Sequence, residues 1–131
     1  MNAHAPPPSI LVVDDDDSLR TSLAAALASK GSVTLAASDG TQVPPLIAAH
    51  APSLIMIDLV MPHPEGIQTI TQHRKLGCAS KIVAMSGDFD GACLRPTLLL
   101  GAHATLAKPF TLDSLFSTVQ TLLAPANSQT E

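Results

Sequence analysis

The sequence lacks several features that would assign it to common functional classes. It has no Trp, no Tyr and only three Phe, and charged residues make up 14% of it without any basic run, so a nucleic-acid-binding surface is not expected. No apolar stretch approaches the roughly 18–20 residues of a membrane span, and no membrane contact is expected. The only two cysteines, Cys78 and Cys93, lack zinc-site spacing and are expected to be free thiols.

The residues that are abundant are aliphatic, and they predict one packed domain. The hydrophobic share is 46% and the length is 131 residues, which excludes a disordered chain and suits a single core. We expect this domain at residues 9–123, between a Pro-rich lead at 1–8 and a polar tail at 124–131. The lead has no basic region and no apolar signal core, so we expect a cytoplasmic protein.

Short apolar runs alternate with segments of helical periodicity along the whole domain. Five helices are predicted: one that begins near Asp17, one that ends at His50, one over 66–76, one that begins near Arg95 and one over 112–123. The alternation of strands and helices favours an α/β fold with a parallel sheet covered on both faces. The predicted strands are 9–13, 33–37, 54–57, 81–85 and 104–107. The predicted apolar side of the last helix contains Leu112, Leu115, Phe116, Val119, Leu122 and Leu123.

Polar side chains occur where four of these strands end. Asp14 and Asp15 follow the first strand, Asp58 the third, Ser86 the fourth and Lys108 the fifth. Taken singly, each has an ordinary explanation: a solvated helix start, a turn, a loop serine or a surface lysine. Carboxyl ends of parallel strands converge on one crevice, however, and three carboxylates there would suit Mg²⁺. Asp58 could then act as a nucleophile toward phosphorus, with Ser86 and Lys108 contacting phosphoryl oxygens.

Four segments carry a resemblance to a known family: VVDDD, LIMIDLVMPHPEG, KIVAMSG and GAHATLAKPF. In order and spacing they resemble the receiver domain of two-component response regulators, over about residues 9–123. The resemblance implies a flavodoxin-like fold, with a doubly wound five-stranded parallel sheet of order 2-1-3-4-5 and five flanking helices.

The resemblance also implies a metal site and a phosphorylation site. Asp58 would accept a phosphoryl group from a histidine kinase or a histidine phosphotransfer protein. Asp14 and Asp15 would match the family's acidic pair and bind Mg²⁺ together with Asp58 and the backbone carbonyl of Val60. The phosphorylated form would then change its binding to a downstream protein that the sequence does not name.

Ser86 would match the family's hydroxyl position, and Lys108 its lysine, followed by a cis bond to Pro109. The chain departs from the family at Thr105, where an aromatic ring is usual. Without that ring, we expect phosphorylation to be transmitted by reordering of residues 87–96.

We expect the phosphoryl-accepting switch to be a single-domain protein and not an enzyme in the ordinary sense. Two other functions are alternatives to it. One is a receiver-like binding scaffold with weak or vestigial phosphorylation, which the Thr105 departure supports. The other is a magnesium-dependent phosphohydrolase. The second is disfavoured because such enzymes carry another acid two residues after the nucleophile, whereas Asp58 is followed by Leu59 and Val60.

Overall fold

The sheet is parallel and has the expected strand order. The computed structural model describes residues 7–59, 65–75, 79–87 and 101–124. The five strands lie in the order β2-β1-β3-β4-β5, and every neighbouring pair is parallel. The strand order implied by the family resemblance is therefore confirmed. The strands are β1 (Ser9–Val13), β2 (Val33–Ala37), β3 (Leu54–Asp58), β4 (Lys81–Ser86) and β5 (Ala104–Ala107).

Four helices and one short 3₁₀ turn (Gly40–Gln42) occur in the described ranges, and none of these helices is long and apolar enough to cross a bilayer. Several predicted features lie outside those ranges: the helix expected near residue 95, Val60, both cysteines, and residues 88–96 of the expected switch segment. The helices are α1 (Asp17–Ala28), α2 (Val43–His50), α3 (Glu65–Lys75) and α4 (Leu112–Leu123).

Local sequence signals explain where the helices begin and end. The Asp16 side chain caps α1 by accepting a hydrogen bond from the backbone N–H of Leu19 at 3.0 Å, which satisfies one of the free donors of a helix start. After α1 the chain turns at Gly31, whose φ of 95° is a conformation that glycine adopts without steric cost. Pro44 and Pro45 fall in the first turn of α2, where a missing N–H does no harm.

The core has two halves, one on each face of the sheet. Along β1, Leu11 and Val13 face one half while Ile10 and Val12 face the other, as the alternation of a strand requires. The first half is completed by residues of α2 and α3, and the second by residues of α1 and α4. Because both faces are covered, β1, β3 and β4 consist almost entirely of buried residues.

One core prediction for the last helix was wrong. Leu112 is 56% exposed, although the periodicity assigned it to the apolar side with Leu115 and Val119, which are buried. Leu112 is the first residue of α4, directly after the cap Thr111. The helix enters the core only from Leu115 onward, so its first residue stays exposed.

Candidate functional site

The polar residues at the strand ends meet at one edge of the sheet. Asp14 follows β1 directly, Asp58 is the last residue of β3, Ser86 is the last residue of β4, and Lys108 follows β5 directly. The strand register brings the ends of β3, β4 and β5 within one residue of each other. The sheet order reverses between β1 and β3, which is where ligands bind in open α/β sheets.

Lys108 bridges two buried carboxylates. Its Nζ lies 2.9 Å from Asp14 Oδ2 and 3.4 Å from Asp58 Oδ1. Asp14 is fully buried and Asp58 nearly so, whereas the lysine side chain is 20% exposed. A buried carboxylate is costly unless a counter-charge or hydrogen bonds compensate it. The ammonium of Lys108 provides that compensation for both acids at once.

Asp15 completes a cluster of three acids. Carboxylate oxygens of Asp14, Asp15 and Asp58 all lie within 4.8 Å of one another, and Asp15 is the exposed member. Three carboxylates and one ammonium give the site a formal charge of −2. A divalent cation with oxygen ligands would balance that charge, so the donor set fits a hard cation.

The two oxygens of Asp14 already have hydrogen-bond partners. Oδ1 accepts the backbone N–H of Asp16 at 2.9 Å, and Oδ2 accepts from the Lys108 ammonium. Asp15, by contrast, accepts no hydrogen bond within the described part of the chain. Asp15 is thus better placed than Asp14 for a direct contact with a cation.

The lysine is fixed to the neighbouring strand through its backbone. The N–H of Lys108 donates to the carbonyl of Ser86 at 2.7 Å, which continues the β4–β5 pairing one step beyond β5. Ser86 is fully buried. The Lys108–Pro109 peptide bond is cis, which confirms what the resemblance implied.

Arg20 lies next to the site and was missed by the sequence analysis. Its Nη1 donates to the backbone carbonyl of Asp14 at 2.7 Å, and its Nη2 forms an ion pair with the Asp17 carboxylate. The spacing of three residues between Asp17 and Arg20 in the first turn of α1 was a visible signal for the ion pair. Nothing in the sequence pointed to the contact with the Asp14 carbonyl, because it depends on the path of the loop.

Two histidines form a separate cluster at the opposite edge of the sheet. His103 Nδ1 accepts the backbone N–H of Ile82 at 3.0 Å, and His73 Nε2 lies 3.3 Å from the carbonyl oxygen of Ser80. Burial lowers the pKa of both imidazoles, and the nearby positive charges of Lys81 and Arg74 lower the pKa of His103 further. Both imidazoles thus contact the backbone at the start of β4.

Comparison with known protein families decides the classification. The sequence model described as "Response regulator receiver domain" matches residues 10–120. The chain belongs to this family. The resemblance carried by the four sequence segments is therefore confirmed, and the acidic cluster lies in a phosphoacceptor signalling domain of two-component systems.

Named relatives agree with this classification. The receiver domain is 33% identical over 84 residues to "Probable C4-dicarboxylate response regulator DctR" of Priestia megaterium, covering 64% of this chain and 37% of that protein. It is 33% identical over 106 residues to "Response regulator MprA" of Mycobacterium sp. (strain KMS), covering 81% of this chain and 46% of that protein. The chain thus spans less than half the length of these two curated relatives.

A solved structure of similar sequence identity supports the fold. The receiver domain of the Francisella response regulator 1452 superimposes with a TM-score of 0.81 at 29% identity, covering 88% of this chain and 95% of that one.

Proposed function

We propose that this receiver domain is a phosphoryl-accepting switch of a two-component phosphorelay, phosphorylated on Asp58 in a Mg²⁺-dependent reaction. The observation that carries the proposal is the position of Asp58, which ends a central strand within 3.4 Å of the Lys108 ammonium and beside two further carboxylates. Of the three acids in the cluster, Asp58 alone belongs to a strand, as the last residue of β3.

The residues of the site divide the chemistry of phosphoryl transfer among them. A carboxylate oxygen of Asp58 attacks phosphorus, a new O–P bond forms, and the bond from phosphorus to the donor's nitrogen or oxygen breaks, with the electron pair leaving on the donor. Lys108 transfers its ammonium contact from the Asp58 oxygen to a phosphoryl oxygen, and the Ser86 hydroxyl donates to another. A bound Mg²⁺ would supply charge neutralisation as the negative phosphoryl group approaches the carboxylate.

The metal is held, in this proposal, by Asp15 and Asp58 directly and by Asp14 through water. This division of roles is supported by the exposed carboxylate of Asp15, which accepts no hydrogen bond from the described residues, and by the two occupied oxygens of Asp14. Mg²⁺ usually keeps several waters and takes one or two protein carboxylates, which suits the small donor set. The backbone carbonyl of Val60 remains a predicted ligand, since that residue is outside the described ranges.

The phosphodonor is expected to be a histidine kinase or a histidine phosphotransfer protein in the cytoplasm. An apolar hollow of about 300 Å³ beside the site, lined by Leu19, Lys108, Pro109 and Phe110, offers a contact surface for such a partner. Uptake and later loss of the phosphoryl group would be catalysed by the domain's own residues. The downstream protein would recognise the phosphorylated form.

The decisive test is an intact-mass measurement after incubation with Mg²⁺ and acetyl phosphate. We expect one added phosphoryl group on the wild type, none on Asp58→Asn, and none when the metal is removed by chelation. Asp113→Asn makes the same chemical change at an exposed acid in the first turn of α4 and should be labelled like the wild type. Undiminished labelling of Asp58→Asn would contradict the assignment of the acceptor. An unlabelled wild type would instead favour the receiver-like binding scaffold.

A further inference from the structure

We propose that Arg20 is a positioning residue of the metal site, which holds Asp15 in place by anchoring the peptide group between Asp14 and Asp15. The proposal deepens the proposed function and rests on it. It is based on the 2.7 Å hydrogen bond that Arg20 Nη1 donates to the Asp14 carbonyl. This carbonyl belongs to the same peptide plane as the Asp15 N–H.

Asp15 depends on its neighbours for its orientation. Its own carboxylate is exposed and accepts no hydrogen bond from the described residues, so its position is set by the peptide groups on either side. The preceding peptide is held by Arg20 through the Asp14 carbonyl. The following peptide is held by the Asp14 side chain, whose Oδ1 accepts the Asp16 N–H at 2.9 Å. Loss of either anchor frees the backbone that presents Asp15.

The guanidinium of Arg20 is itself well anchored. The Arg20 side chain is only 17% exposed, and the second guanidinium nitrogen, Nη2, donates to the Asp17 carboxylate. A guanidinium can serve a carbonyl and a carboxylate simultaneously because its donors form a rigid planar fork. Asp17 also offsets the positive charge of Arg20. The geometry therefore points to a mechanical role for Arg20 rather than an electrostatic one.

Charge and positioning predict effects of opposite sign on Mg²⁺ affinity. If Arg20 acted only through its charge, Arg20→Met would make the site more negative and would tighten Mg²⁺ binding. If Arg20 positions Asp15, the same substitution weakens binding, since loss of a group that orients a metal ligand typically costs about 10-fold or more in affinity. Arg20→Lys keeps the charge but loses the fork, so it should weaken binding as well.

The test is calorimetric titration of the metal-free protein with MgCl₂, which requires no phosphodonor. We expect a dissociation constant raised about 10-fold in Arg20→Met and raised in Arg20→Lys. Asp17→Asn removes the charge of an exposed residue but retains a side-chain oxygen that can accept from Nη2, so Arg20 keeps its anchor and its bond to the Asp14 carbonyl, and Mg²⁺ affinity should stay within about threefold of the wild type. Circular dichroism checks that each variant is folded. If Arg20→Met does not fold, the comparison uses Arg20→Lys alone.

Each outcome separates the two proposals. Unchanged or tighter Mg²⁺ binding in the folded Arg20 variants, with normal binding by the wild type, would overturn the role of Arg20 alone. An equal weakening in Asp17→Asn would show that the ion pair matters rather than the carbonyl contact, and would overturn it too. A wild type that fails to bind Mg²⁺ would overturn the metal-dependent function together with the inference.

Discussion

Replacing the proposed phosphoryl acceptor should make the metal-free protein more stable. Asp58→Asn keeps the size and shape of the side chain and removes one of three clustered negative charges. The folded state holds these charges close together, whereas the unfolded chain lets them separate. We therefore expect the substitution to raise the free energy of unfolding when no Mg²⁺ is present, because it relieves repulsion that only the folded state experiences.

The distances give the size of the effect. At an effective dielectric constant of about 20, two like charges at the cluster's upper limit of 4.8 Å repel by about 3.5 kcal/mol, and Asp58 has two neighbours, Asp14 and Asp15, within that limit. Its attraction to the Lys108 ammonium at 3.4 Å is about 5 kcal/mol on the same scale. The balance is a net repulsion of about 2 kcal/mol, which solvent screening of the exposed Asp15 reduces to about 1 kcal/mol. A gain of that size raises the melting temperature by roughly 4 °C.

Urea unfolding followed by circular dichroism, in chelator and at low ionic strength, measures this difference. The chain has no Trp, so fluorescence would report poorly. Added Mg²⁺ should stabilise the wild type more than Asp58→Asn, since a ligand of the native state stabilises it more the more tightly it binds. The advantage of the variant should therefore shrink or reverse as Mg²⁺ is raised. Added monovalent salt should shrink it partly, by screening the exposed member of the cluster.

The matched control is Asp113→Asn, which removes a charge from an exposed position at the start of α4. Its effect should stay within about 0.5 kcal/mol and carry a destabilising sign, because an acid at a helix N-terminus interacts favourably with the helix dipole. A metal-free Asp58→Asn protein no more stable than the wild type would refute the reasoning. That result would mean that Lys108 already neutralises the cluster and that the site has no surplus charge for a cation to balance.

Three further predictions concern other parts of the structure. The stability of the wild type should be constant above about pH 6.5 and fall as the pH drops below it, because burial lowers the pKa of His73 and of His103, and the unfolded chain binds protons that the folded imidazoles resist. His103→Asn keeps an acceptor for the backbone N–H of Ile82 and should reduce this dependence in urea titrations at a series of pH values. Gly101→Ala should lower the free energy of unfolding by about 1–3 kcal/mol in the same assay, since Gly101 has a φ of 123° and a Cβ there would lie 2.2 Å from Arg74 Cγ. The control Gly87→Ala, whose Cβ would have nothing within 4 Å, should cost less than about 1 kcal/mol. Lys108→Met should be labelled by acetyl phosphate at least about 10-fold more slowly than the wild type, as judged by intact mass, because the phosphoryl oxygens lose their ammonium contact; labelling at the wild-type rate would exclude that contact from the reaction.

The central strands were predictable from sequence because β1, β3 and β4 are buried on both faces. A continuous apolar run such as Ile10–Val13 has few alternatives in a chain of this length, and β1, β2 and β5 have the bounds that the sequence predicted. Leu112 was mispredicted because periodicity describes a helix in isolation. Whether the first residue of α4 is covered depends on which elements pack beside it, and that is a property of the packed structure.

The site was predictable as a set of residues but not as a network of contacts. Asp14, Asp15, Asp58, Ser86 and Lys108 could be selected because strand ends in a parallel sheet share an edge. Which acid bonds to which group could not be read from the sequence, since those contacts depend on side-chain rotamers and loop paths. The sequence therefore gave no indication that Asp14 uses one oxygen for its own loop and the other for the lysine.

These contacts suggest how a signal can leave the site without an aromatic residue at position 105. Lys108 contacts Asp58 through its side chain and the Ser86 carbonyl through its backbone N–H, at 3.4 Å and 2.7 Å respectively. If a phosphoryl group is added to Asp58, the ammonium is expected to follow the new negative charge, because otherwise a group of nearly two negative charges would lie in a buried site without its ammonium partner. A shift of the Lys108 side chain would act on the backbone segment that joins β5 to α4 and on the end of β4, to which that segment is hydrogen-bonded. Thr105 lies in β5, three residues before Lys108, so its small side chain would permit that adjustment without acting as the switch.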